Sequence, residues 1–63
     1  MTDVITAADM LACAEREVKM RKRVYPRWVE DGRMSEGAAA HQIATMEEIV
    51  KTLRPLAEKE RLL

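Results

Sequence analysis

The residues best suited to chemistry crowd into one stretch, Val18 to Ser35, which reads VKMRKRVYPRWVEDGRMS. Lys19, Arg21, Lys22, Arg23 and Arg27 interleave there with Tyr25 and Trp28, the single tyrosine and single tryptophan of the chain. Cations beside aromatic rings serve phosphate contact and base stacking. Arg, Tyr and Trp are also the types enriched at the centres of protein interfaces. Helical spacing narrows the choice. Successive side chains turn by about 100°, so Lys19, Arg23 and Arg27 share one face while Arg21 and Lys22 leave it. A three-residue basic strip on a neutral protein reads first as a solvated face, so nucleic acid ranks below an acidic protein surface or an anionic small ligand. The candidate binding set is Arg21, Arg23, Tyr25, Arg27 and Trp28.

Catalytic groups are sparse. His41, the only histidine, has no second His and no acid three or four residues away, so metal-ligand spacing fails. Cys13 stands alone, with Arg16 and Glu17 within a turn of it. A helical chain folded back on itself would set Cys13 and His41 at opposite ends, which excludes a Cys–His nucleophile within one subunit. There is no glycine-rich phosphate loop. The sequence reads as a non-enzyme with no cofactor and no metal.

Composition bounds the rest. A chain of 63 residues makes one domain and buries only about 60% of the surface that its unfolded form exposes. With 48% hydrophobic residues, two Gly, two Pro and no Phe, it lacks both a disordered composition and the material for a β core. Ala, Met, Leu, Glu, Lys and Arg dominate, and these favour helix. Eleven basic residues balance eleven acidic ones, so no global field draws the chain to nucleic acid or membrane. The layout is dipolar, however. Asp3, Asp9, Glu15 and Glu17 outweigh Arg16 before Val18, and six basic groups outweigh Glu30 and Asp31 between Val18 and Arg33. No apolar run approaches the ~18 residues of a membrane span, and no signal peptide is evident. A lone cysteine suits a reducing compartment, so the expected location is the cytoplasm.

These side chains must be positioned by helices. Met1 to Ile5 reads as a loose lead-in. Thr6 and Asp9 have the spacing of a capping box, and a helix over about 7–31 follows. Its Ala7, Leu11, Ala14, Val18, Arg21, Tyr25 and Trp28 fall on a 3-4 repeat. Pro26 interrupts it, at a cost of roughly 3 kcal/mol in a helix interior. Either one helix kinks at Pro26, the preferred reading, or it breaks at Tyr25 and Pro26 opens a second short helix. Gly32 can close the helix with a positive φ, residues 32–35 make the turn, and Ser35 caps the next helix. That helix, over about 36–54 or beyond, carries Ala39, Ile43, Met46, Val50, Leu53 and Ala57 at the same spacing. Pro55 bends or ends it near Arg54, and Glu58 to Leu63 reads as a frayed, charged tail.

Folding the two stripes about Gly32–Ser35 gives an all-α antiparallel helical hairpin. Trp28 then meets Ala39, Tyr25 meets Ile43, Val18 meets Val50 and Leu11 meets Ala57, with large opposite small near the turn. Arg21 falls beside Met46 and Glu47. It is either a structural ion pair with Glu47 or Glu17, its stem covering apolar surface, or a binding arginine in an apolar groove. The hydroxyl of Tyr25 or the N–H of Trp28 should reach a polar partner, His41 among them for Tyr25. Met20, Val29, Ile49, Leu56 and Leu62 flank the seam and exceed what one partner helix can cover. A dimeric four-helix bundle, or a higher homo-oligomer, is the closed solution.

The segment from Ala14 to Leu53 also resembles a family of short phage and prophage proteins of proteobacteria. Their shared pattern is E-R-E-x-x-M-R-x-x-V-Y-P-x-W-V-x-x-G-x-M-[ST], followed by an amphipathic helix. Glu15, Arg16, Glu17, Met20, Arg21, Val24, Tyr25, Pro26, Trp28, Val29, Gly32, Met34 and Ser35 match it. The resemblance transfers no activity; it implies a phage-associated accessory role in the host cytoplasm. Three functions follow in order. The first is a self-associating protein that binds a host protein, for instance to inhibit a defence component. The second is a binder of an anionic small molecule or nucleotide between subunits. The third is a nucleic-acid-binding helical dimer.

Overall fold

The structure, a computed structural model, describes residues 4–62; part of the expected lead-in, residues 1–3, and Leu63 at the end of the tail lie outside them. Two helices account for nearly all of the described chain: α1, Ala7–Glu30, and α2, Glu36–Arg61. They pack against each other as an antiparallel hairpin.

The caps explain the bounds of α1. The Thr6 hydroxyl accepts from the Asp9 N–H at 3.1 Å, and Asp9 accepts in return from the Thr6 N–H at 3.1 Å. This reciprocal box satisfies two donors that a helix start otherwise leaves free. At the other end Gly32 takes φ +73°. Its N–H donates to the Val29 carbonyl at 3.1 Å, and the Arg33 N–H donates to the Trp28 carbonyl at 2.9 Å. Those two bonds are the Schellman pattern. Ser35 then starts α2, its hydroxyl accepting from the Ala38 N–H at 3.0 Å.

Both prolines lie inside helices. α1 runs unbroken through Pro26, so the reading in which Pro26 opens a separate helix is wrong. α2 runs through Pro55 to Arg61, and the expected fraying from Glu58 onward does not occur up to that residue. The physical reason is the same twice. Pro26 and Pro55 are both exposed, so the carbonyls of Lys22 and Lys51, which lose their N–H partners, lie on the water side of the hairpin. The flanking turns keep the apolar stripe in phase across each site.

The last turn of α2 is also tied across the hairpin. Glu60 accepts from the Ala7 N–H at 2.8 Å and from the Ala8 N–H at 3.3 Å. A carboxylate from one helix end thus caps the free N–H groups and positive dipole end of the other. Glu15–Arg54 at 3.3 Å, Lys22–Glu47 at 2.9 Å and the Glu60 cap centre between Arg33 and Ser35, close to the register expected from the two stripes, whereas the long Arg21 side chain reaches back to Gln42. The core is thin. Ala7, Ala14, Tyr25, Ala39 and Val50 are its buried members, three of them alanines that let the helices approach. No side chain among the described residues is fully buried.

Two glycines with equal space around them give opposite outcomes. A Cβ on Gly32 or Gly37 meets nothing within 4 Å, but Gly32 alone sits at positive φ. Gly32→Ala should lose about 1 kcal/mol, the cost of a left-handed backbone, whereas Gly37→Ala in α2 should gain up to about 1 kcal/mol. Thermal melts at one fixed protein concentration compare them. Glu60→Gln should lower stability by about 1 kcal/mol, as expected for a charged acceptor at a helix start. Glu58→Gln, which touches only its neighbour Arg61, should leave the melting temperature unchanged.

Candidate functional site

The candidate residues part company once α1 is built. Arg21, Tyr25 and Trp28 come together along the seam, while Arg23 and Arg27 are exposed on the side of α1 turned away from α2. The five do not form one binding patch. Arg33 and Glu17 join the cluster from outside the candidate set, together with Gln42 from α2.

Tyr25 is the anchor, at 8% exposure. Its ring stacks on Trp28 with centroids 5.4 Å apart and planes 29° apart, a favourable offset arrangement. The Arg21 guanidinium sits 5.8 Å from the Tyr25 ring centre, and the Arg33 guanidinium 5.3 Å from the Trp28 ring centre. The order is therefore Arg21, Tyr25, Trp28, Arg33, a cation at each end of an aromatic pair. Arg33 owes its place to the turn. It follows Gly32, where Schellman geometry sets a side chain against the residue five positions earlier, here Trp28.

Arg21 is the most heavily engaged polar side chain. Its Nε donates to Glu17 Oε1 at 2.8 Å, and its Nη1 donates to the Gln42 carbonyl at 2.9 Å and to Gln42 Oε1 at 3.4 Å. The side chain is 17% exposed. Of the two acids expected beside it, Glu17 takes the contact. Glu47 pairs with Lys22 instead, because Lys22 and Glu47 lie on the opposite face of the hairpin from the guanidinium. The Glu17–Arg21 spacing, acid four residues before base, was the readable signal for this pair. Nothing in the spacing points to Gln42, which Arg21 reaches only across the seam.

Two expectations fail here. Among the described residues neither the Tyr25 hydroxyl, the Trp28 N–H nor the His41 imidazole makes a hydrogen bond within the chain; the His41 carbonyl accepts from the Thr45 hydroxyl. Their polar atoms are left to water rather than buried without partners. Cys13 is free and exposed. Among the described residues no three His, Cys, Asp or Glu come together as a metal site, and no helix is long and apolar enough to cross a membrane.

The arrangement suits surface recognition better than ligand capture. Arg21 already spends its fork on Glu17 and Gln42, so an anion would have to displace both. Replacing it tests how much that wiring holds the fold. Arg21→Met should melt no lower than the parent, because Glu17 stays hydrated and the methionine fills the same apolar gap. Arg21→Lys should lose roughly 1 kcal/mol, since a point charge keeps the desolvation and cannot make the forked contacts. Trp28 fluorescence reports both melts.

No protein-family model, no curated protein and no solved structure matches this chain.

Proposed function

We propose that this chain is a non-enzymatic interaction protein: two hairpins pair into a four-helix bundle, and the assembled dimer binds a protein partner. The observation that carries the reading is the shape of the subunit. Its principal extents are 47 × 27 × 13 Å, a slab one helix thick. Domains are stable when two layers enclose a core, and one layer with no fully buried side chain among the described residues lacks that enclosure. A second hairpin laid on the first supplies the missing layer. In that bundle α1 bends at Pro26 toward the added layer, as long helices curve around a core.

The resemblance of the Val24–Val29 region to phage accessory proteins supports a host protein as the partner, with inhibition of a defence component as its specific form. The residues offered for it are Arg21, Tyr25 and Trp28 with Arg33 near the turn, and the exposed Arg23 and Arg27 on the outer face of α1. Binding of an anionic small molecule or nucleotide between subunits draws less support, because Arg21 is committed within its own subunit. Nucleic acid draws less still: Lys19, Arg23 and Arg27 form a short strip on a chain of zero net charge.

Sedimentation equilibrium tests the assembly. At micromolar concentration the protein should run at twice its 7.2 kDa chain mass, and its melting temperature should rise with concentration, as mass action requires. A monomer with a concentration-independent melt defeats the reading.

A further inference from the structure

The two faces of the slab differ in chemistry, and the difference says how two copies meet. On one face Glu15, Lys19 and Lys22 of α1 and Glu47, Lys51 and Arg54 of α2 line an open groove, crossed by the Glu15–Arg54 and Lys22–Glu47 pairs. Helical geometry puts Met10, Met20 and Val24 of α1 and Ile49, Leu53 and Leu56 of α2 on the other. There Met10, Ile49 and Leu56 are 44%, 40% and 50% exposed, large apolar side chains facing water on a helix pair with no third layer.

We infer that the occupant of the Met10–Leu56 face is a second copy of this chain, packed two-fold so that each copy covers the other's Ile49 and Leu56. The inference rests on the self-association proposed above and names its surface. Three observations select a second copy. The face, within a slab of 47 by 27 Å, is large enough for the ~800 Å² per partner of a standard interface. Two slabs of 13 Å stack to the two-layer thickness of a four-helix bundle. The charges on the face cancel within each copy, since Arg21 is bonded to Glu17 at 2.8 Å. A two-fold contact sets each patch against itself, so a face of one sign would repel its copy, and this one does not. The same neutrality argues against a lipid surface, which recruits helices through a predominantly basic polar face. Here the opposite face mixes both signs. The charged face is thereby left outward, free for a different partner.

The test uses the full chain and three matched lysine substitutions. Ile49→Lys and Met10→Lys fall on the apolar face, and Ala44→Lys falls in the charged groove. Each is measured by sedimentation equilibrium, with circular dichroism for helix content and flotation with phosphatidylglycerol vesicles. Each apolar-face variant should weaken dimerisation at least about tenfold, a typical effect for a charge set into an interface centre, and Ala44→Lys should leave it unchanged. Should Ile49→Lys lose its helix content, Ile49→Ala serves instead, and several-fold weakening is expected. Dimers that resist the apolar-face changes but yield to Ala44→Lys would overturn the face assignment and leave self-association standing. A wild-type chain that stays monomeric at all concentrations would remove self-association itself. A wild-type monomer that floats with vesicles, and ceases to when Ile49 is Lys, would reassign the face to lipid.

Discussion

Gly32 sets where the chain reverses, and the reversal sets which residues face one another. Its positive φ lets Gly32 and Arg33 return their N–H groups to the carbonyls of Val29 and Trp28. A side chain at that position would meet no atom but would strain the backbone. Because both helices are long and carry stripes of matched spacing, the position of this one residue propagates along the whole hairpin. A turn one residue later would put Glu60 out of reach of Ala7 and part Lys22 from Glu47. The cation–aromatic series near the turn is equally dependent, since Arg33 reaches Trp28 only through the Schellman return.

The seam itself was legible. Along α2 the residues that are not exposed are Ala39, Ile43, Met46, Val50, Leu53 and Ala57, the same six that the 3-4 spacing selects. Both N-caps and the glycine closure were readable too, because capping depends on local residue types at fixed offsets. What escaped was everything that required knowing which charged residue sits across the seam. Glu60 looks like one charge among several in a tail, and only the register gives it the N-terminus of α1. Arg21 was rightly placed at a seam position, yet its partner across the hairpin is a backbone carbonyl at Gln42, an acceptor that no sequence pattern marks. Pro55 misled because a proline's cost depends on whether the freed carbonyl can reach water, and that is a property of the face it lands on.

The candidate binding set divided along the same line. Tyr25 and Trp28 carry hydrophobic area, so the stripe placed them and the structure keeps them together. Arg23 and Arg27 share a helical face with Lys19, and that face turns away from α2. Charge gives no positional information without a partner, whereas apolar area at helical spacing does.

The pairing also grades the hairpin along its length. Arg21 and Gln42 are separated by 21 residues of chain, whereas Ala7 and Glu60 are separated by 53, so the contacts nearest the turn close the shortest loops. Loop-closure entropy therefore weighs least at the Trp28 end and most at the Glu60 end. The molecule is a pair of tongs whose rivet is the Schellman turn and whose tips are held by one carboxylate. Opening begins at the tips and runs toward the rivet, and slow amide exchange should concentrate around Tyr25 and Ile43 while Ala7 and Leu62 exchange early.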